Sequence, residues 1–205
     1  MTENCIALPD NYRAVRHINL QKDKKALFFV NGISLIILIL AAGIGHQIVP
    51  IQTFYSMEKG IVLYVIKFLV TIGGMILYIF LHELVHGIFI KHYSGIRPIY
   101  GFTGMYAYAG SSAYFNRKSY LVIALAPIVV WGIVITVALI FVPAYWFWAV
   151  YIIQIINIGG AAGDLYVTWV ITSLPEDILI QDSGLSMTIY SSEHNASQGG
   201  IANDQ

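Results

Sequence analysis

Apolar residues dominate four long stretches of the chain, and polar or turn-forming residues separate them. The stretches run from Ala26 to about Val49, from about Ile61 to Lys91, from about Tyr120 to Val142 and from about Ala144 to Ser173. Each is as long as the roughly 20 residues that an α-helix needs to cross a bilayer, or longer. Pro50, Pro143 and Pro175 follow the first, third and fourth stretches, where a helix is expected to stop. The pattern predicts an all-α membrane protein with four transmembrane helices.

Two connecting regions carry signals for short β-strands. In residues 92–118, Tyr100 and Phe102 share one parity, as do the two tyrosines beyond Gly104, and glycines separate the pairs. In residues 176–191, two short apolar segments flank Asp182-Ser183-Gly184, which predicts a hairpin turn. We expect these strands to lie near the membrane interface.

The distribution of lysine and arginine predicts the orientation. Most of them lie in residues 1–25 and 92–118, whereas the opposite connections carry only Lys59. The positive-inside rule then places both termini and the short strands on the cytosolic side of a bacterial cytoplasmic membrane. Lys67, inside the second stretch, is expected to extend its ammonium group to the nearer surface. The predicted organisation is a basic cytosolic arm at 1–25, a four-span domain at 26–175, a cytosolic hairpin at 176–191 and a disordered tail at 192–205.

The composition agrees with a chain surrounded by lipid. Hydrophobic residues make up 58% of the 205 positions and charged residues only 11%, against about 25% charged residues in an average soluble domain. The net charge of zero gives no reason to expect a nucleic-acid partner. Cys5 is the single cysteine, so an intrachain disulfide or thiolate cluster is excluded, and a metal would need His, Asp or Glu ligands.

The second stretch contains an H-E-x-x-H motif, His82-Glu83-Leu84-Val85-His86. On an α-helix His82 and His86 are one turn apart, so both imidazoles project from one face and can hold a single ion. Glu83 lies about 100° around the helix from His82, where a carboxylate can act as a general base. Ionisable side chains inside a membrane span are costly, which favours a functional site over histidines that merely face water or make structural hydrogen bonds.

A catalytic zinc site also needs a third protein ligand. Within the four stretches the acidic residues are Glu83 and Asp164. His82 and Asp164 are each nine residues from the same predicted edge of the membrane, which puts both about 13 Å deep. Gly159 and Gly163 form a G-x-x-x-G pattern that permits close helix approach. We therefore predict Asp164 as the third ligand.

Two further polar residues are candidates for the site. Asn157 lies seven residues before Asp164, so it shares the same face of a continuous helix and could hydrogen-bond a substrate carbonyl or the ligands. His92 has the spacing of a third zincin histidine, but Phe89 stands where that pattern has a turn-forming glycine. A surface position next to the membrane is therefore favoured for His92.

The chain resembles a known group of enzymes. His82-Glu83-x-x-His86 in one span and Gly163-Asp164 in a later span are similar to the site-2-protease type of intramembrane zinc peptidase. The chain resembles still more closely a small bacterial family of membrane zincin peptidases. That likeness also includes Pro98 to Tyr108, Leu125-Ala126-Pro127 and Pro175 to Tyr190. Site-2 proteases usually carry Asn-Pro-Asp-Gly or Leu-Asp-Gly around the third ligand, where this chain has Ala-Gly-Asp-Leu.

The resemblance implies one zinc ion held by His82, His86 and Asp164, with Glu83 as the catalytic base. Together with the motif, it predicts a zinc-dependent endopeptidase that hydrolyses peptide bonds within or next to the membrane. The expected partners are a peptide or membrane-protein substrate and the lipid bilayer; no oligomeric state is predicted. A non-catalytic membrane protein that binds metal or regulates another protein is the alternative. A transporter is less favoured because the sequence shows no inverted repeat.

Overall fold

The computed structural model describes residues 3–19, 22–104 and 106–192, which are mostly helical. The helices are α1 Lys24–Ile48, α2 Gln52–Tyr55, α3 Ile61–Ser94, α4 Arg117–Phe141, α5 Ala144–Gly160 and α6 Ala162–Thr172. By length and composition, α1, α3, α4 and the α5–α6 segment could each cross a membrane. The four predicted apolar stretches are therefore confirmed as long apolar helical segments.

The strands form two antiparallel sheets within the described residues. They are β1 Tyr12–Ile18, β2 Ile99–Phe102, β3 Ala107–Gly110, β4 Phe115–Asn116, β5 Leu179–Asp182 and β6 Met187–Ser192. β2 pairs with β3, and the other four strands follow the order β1-β6-β5-β4. The turn between β5 and β6 lies where the sequence predicted it, and Gly184 there adopts a positive φ of 81°. Glycine suits that position because other residues rarely adopt this conformation.

The chain divides into two compact units. The first comprises Met1–Leu27, Glu83–Ala126 and Asp164–Gln205, and the second comprises Phe28–His82 and Pro127–Gly163. Helices α3, α4 and α6 each run through the division.

The first unit has its core on one face of the four-stranded sheet. Ile180 and Ile189, paired across β5 and β6, are fully excluded from solvent. They pack in one cluster with Ile123 of α4 and with the buried residues of α6. Arg117, at the start of α4, donates hydrogen bonds to the carbonyls of Thr172 and Leu174 at the end of α6. The core and this cap fix the ends of α4 and α6 on the sheet.

The second unit is held by aromatic residues whose polar ends reach helix carbonyls. Trp148 is almost completely buried, and its Nε1 donates to the Val49 carbonyl at 3.0 Å. The Tyr151 hydroxyl donates to the Ala41 carbonyl at 2.8 Å. Phe147 stacks on the Tyr151 ring, with 5.0 Å between their centroids. These contacts attach α5 to α1 and to the residue that follows it, and they pair the Trp148 indole and the Tyr151 phenol.

Lys67 does not reach the surface as predicted. Its side chain is fully buried, and its Nζ donates to the Thr53 carbonyl at 2.9 Å. The same ammonium group lies 4.1 Å from the centroid of the Tyr145 ring. The prediction failed because the connection containing α2 folds over Lys67 and supplies a carbonyl, while Tyr145 of α5 supplies an aromatic face in place of water.

Part of the basic segment at 1–25, predicted as a cytosolic arm, forms regular structure. Its residues 12–18 form β1, an edge strand paired with β6, and Asn4 donates to Ser119 Oγ at 3.0 Å. Only Tyr12 and Ile18 of the strand are buried. The charged side chains between them remain outside, as is common on edge strands, so the alternation was too weak to predict the strand. Of the predicted disordered tail at 192–205, Ser192 belongs to β6, and residues 193–205 lie outside the described residues.

The fourth apolar stretch is interrupted within its length. α5 ends at Gly160, Ala161 leaves the helical conformation with ψ near 9°, and α6 begins at Ala162. Gly159, just before the break, approaches Leu38 of α1 closely enough that an added Cβ would lie 3.4 Å from it. The prediction that Asn157 and Asp164 share one helix face assumed a continuous helix. The break places them on two helices, so their spacing of seven residues no longer implies a shared face.

Substituting Ile189→Ala should destabilise the first unit by about 2–5 kcal/mol, because it opens a cavity beneath a fully buried strand pair. The matched control is Ile6→Ala, because Ile6 is 68% exposed and should lose little stability. Thermal unfolding of the purified proteins in one detergent measures the difference. Equal transition temperatures would contradict the assigned core.

Candidate metal centre

Helix α3 carries the H-E-x-x-H residues on consecutive turns. The segment contains no proline, so the helix passes through the motif without interruption. His86 is buried, while His82 and Glu83 are half-buried. The helix therefore brings both imidazoles to one face, with the carboxylate of Glu83 beside them.

Helix α6 supplies Asp164 from its first turn. The break at Ala161 starts a new helix just before this residue, and a carboxylate is favoured near a helix N-terminus by the helix dipole. The side chain of Asp164 is 26% exposed, against 11% for His86. The first turn of α6 thus fixes the position of the Asp164 carboxylate, which remains partly exposed.

The structure brings the three predicted ligands together. Nε2 of His86 lies 3.6 Å from Oδ1 of Asp164. One ligand atom from each of His82, His86 and Asp164 lies within 4.8 Å of the others. Tetrahedral zinc with ligand bonds of about 2.1 Å needs donor atoms about 3.4 Å apart. Two imidazoles and one carboxylate, with a partly open side, fit a catalytic zinc ion that keeps one position for water or substrate.

His92 lies outside this group. It is exposed near the end of α3, where its ring contacts Tyr93 edge to face. This agrees with the surface position that the sequence favoured for it.

Each histidine also has a defined partner for its second ring nitrogen. Nδ1 of His86 lies 2.9 Å from the Ile123 carbonyl of α4. Nδ1 of His82 lies 2.9 Å from the hydroxyl of Tyr78, one turn earlier on α3. Metal-binding histidines generally have such partners, which fix the orientation of the ring. The sequence did not single out Tyr78, although its spacing of four residues from His82 places the two on one helix face.

Asn157 is fully buried and both ends of its amide are engaged within the protein. Its Oδ1 accepts a hydrogen bond from the Tyr78 hydroxyl at 2.8 Å, and its Nδ2 donates to the Ile128 carbonyl at 3.2 Å. Of the two roles predicted for Asn157, support of the ligands agrees with these bonds. A direct contact with substrate stays a prediction.

Tyr100 of β2 is a second residue near the motif that the sequence pattern did not identify as part of the site. Its ring and hydroxyl cover Gly87 of α3, where any side chain would collide with them. Burial raises the pKa of the Tyr100 phenol, and the negative charge of Glu83 raises it further. Gly87 therefore permits β2 to approach the motif and brings a neutral, protonated phenol into the field of Glu83.

Comparison with known proteins gives one family. A family model described as "Putative zincin peptidase" matches residues 75–179. The matched segment contains all three members of the candidate metal group. No curated protein and no solved structure matched the chain.

Substituting Asp164→Asn should weaken zinc binding at least about 100-fold, because a direct ligand is lost and outer-shell losses alone reach that size. Asp10→Asn is the matched control, since Asp10 is an exposed residue of the first unit. Zinc content after dialysis and competition with a chelator measure the effect. Wild-type affinity in Asp164→Asn would remove this residue from the ligands.

Proposed function

The chain belongs to the putative zincin peptidase family, and on that premise we propose that it is a zinc-dependent endopeptidase acting within or next to a membrane. The observation that carries the proposal is the grouping of His82, His86 and Asp164, whose ligand atoms lie within 4.8 Å of one another. Glu83 follows the first of these ligands directly in the sequence.

The membrane location is supported by the four long apolar helical segments and by their surfaces. Large apolar side chains remain exposed along these helices, among them Phe28 at 83% and Phe141 at 80%. Lipid is the surrounding in which such surfaces are stable, because water would penalise them. We propose four spans in a bacterial cytoplasmic membrane with both termini cytosolic, following the distribution of lysine and arginine.

In the proposed mechanism His82, His86 and Asp164 would hold the zinc ion. When bound, zinc supplies Lewis-acid activation of water and of the scissile carbonyl. Glu83 accepts a proton from the attacking water and returns it to the nitrogen of the leaving amine. General acid–base catalysis of this kind typically contributes about 10²–10⁴-fold to the rate.

The same grouping supports the proposed likeness to site-2-protease-type enzymes. In both, two ligands come from an H-E-x-x-H helix and the third from a later apolar helix. The substrate would be a peptide or a membrane protein whose scissile bond reaches the partly exposed side of Asp164. A protein that binds zinc without cleaving peptides is the competing function, and a variant of Glu83 separates the two.

Substituting Glu83→Gln should abolish cleavage and retain zinc, because the amide cannot accept the proton yet Glu83 is not one of the ligands. Glu176→Gln is the control, since Glu176 is exposed and lies outside the metal group. The measurement compares membrane-derived peptides from cells that produce wild type, Glu83→Gln or Glu176→Gln, with zinc content determined on each purified protein.

Peptides present with wild type and Glu176→Gln but missing with Glu83→Gln would support the peptidase. Cleavage retained in Glu83→Gln would contradict the assignment of the base. Full zinc content in all three proteins, with peptide patterns that match those of cells lacking the protein, would instead favour the non-catalytic metal-binding protein.

A further inference from the structure

Pro127 leaves a backbone acceptor open on helix α4. In an α-helix the carbonyl of residue i accepts a hydrogen bond from the N–H of residue i+4. The carbonyl of Ile123 would therefore pair with residue 127, but proline has no N–H. The ring nitrogen Nδ1 of His86 occupies that place, 2.9 Å from the oxygen.

This contact determines which nitrogen of His86 is protonated. A carbonyl oxygen can only accept, so Nδ1 must carry the hydrogen that it donates to Ile123. A neutral imidazole protonated on Nδ1 has its lone pair on Nε2. Nε2 is the atom that lies 3.6 Å from Oδ1 of Asp164. The open carbonyl thus sets the tautomer in which His86 can bind a metal beside Asp164.

The tautomer of His82 is set by a longer series of hydrogen bonds, the relay, which runs through Tyr78 and Asn157 to the Ile128 carbonyl of α4. The Ile128 carbonyl can only accept, so Asn157 must present its NH₂ group to it, at 3.2 Å. The Oδ1 of Asn157 then faces the Tyr78 hydroxyl, which donates its single proton at 2.8 Å. Towards Nδ1 of His82, 2.9 Å away, the hydroxyl can therefore only accept. Nδ1 of His82 carries the hydrogen, and its lone pair is on Nε2.

We infer that Pro127, Tyr78 and Asn157 are positioning residues that set the tautomers of His82 and His86 through two carbonyls of α4. The inference rests on the proposed function, because it takes these histidines as zinc ligands. Tyr78 is 6% exposed and Asn157 is fully buried, so water cannot readily replace a lost partner. Neither residue belongs to the candidate metal group; Tyr78 contacts His82, and Asn157 acts through Tyr78.

Three substitutions in the full-length protein test the inference. Tyr78→Phe removes the acceptor of His82. Pro127→Ala restores an N–H that competes with His86 for the Ile123 carbonyl, and it replaces a helix-breaking residue by a helix-forming one. Tyr64→Phe is the control, since Tyr64 lies on α3 fourteen residues before Tyr78 and packs against Phe68.

Zinc affinity, measured by competition with a chelator, should fall about 10–100-fold in Tyr78→Phe and in Pro127→Ala, the usual effect of losing such a partner. Tyr64→Phe should bind zinc as wild type does. Affinities in both test variants equal to that of Tyr64→Phe would overturn the inference.

Nitrogen-15 NMR of labelled histidine side chains gives a readout that general loss of structure would not reproduce. In zinc-loaded wild type both histidines should show an Nδ1–H signal protected from exchange. Tyr78→Phe should remove the protection for His82 alone, and Pro127→Ala for His86 alone. Zinc bound through Nδ1 of either histidine, or loss of both signals in either variant, would contradict the relay.

Results that refute the metal site can be distinguished from results that refute the relay. Wild-type protein that binds no zinc would refute the metal site, while Nδ1–H signals in the metal-free protein that respond selectively to the two substitutions would still support the relay. Tight zinc binding in wild type with unselective signals would refute the relay and leave the metal site intact.

Discussion

The close approach of His86 and Asp164 is the interaction on which the candidate centre depends. An imidazole and a carboxylate in an apolar chain are costly unless each has a partner, and here their nearest atoms are 3.6 Å apart. The first unit holds the two residues on packed elements. His86 lies on a buried turn of α3, and Asp164 lies in the first turn of α6. The end of α6 is capped by Arg117, and its buried face packs with the sheet. The sheet therefore stabilises a pairing that the side chains alone would not maintain.

Helix α4 supplies hydrogen-bond acceptors to residues in and around the site. Polar groups within apolar helices must find donors and acceptors inside the protein, because apolar surroundings offer none. The helix meets this need with its own backbone: Pro127 leaves one carbonyl for His86, and the Ile128 carbonyl anchors the amide of Asn157. A residue that usually weakens a helix here supplies an acceptor at a defined position. The backbone of α4 thus supplies a hydrogen-bond acceptor to His86 and another to Asn157.

Much of the framework could be predicted because the physical signals were local. Helix length in apolar stretches, the spacing of His82 and His86, and the scarcity of acidic residues that singled out Asp164 can all be read directly from the chain. The remaining features depend on residues distant in sequence. β1 is stabilised by pairing with β6, Lys67 is buried by the connection that folds over it, and the relay from His82 ends at a carbonyl of α4. None of these partners has a fixed spacing from the residue that it contacts, so a pattern search could not have found them.

We propose that one zinc ion is held by two imidazoles and one carboxylate from α3 and α6. X-ray absorption spectroscopy at the zinc edge of the purified, zinc-loaded protein tests it most directly. We expect about one zinc per chain in a four-coordinate shell of nitrogen and oxygen at about 2.0–2.1 Å, with the outer scattering of two imidazoles. A sulfur shell near about 2.3 Å, a single imidazole, or a six-coordinate shell of oxygen would contradict it.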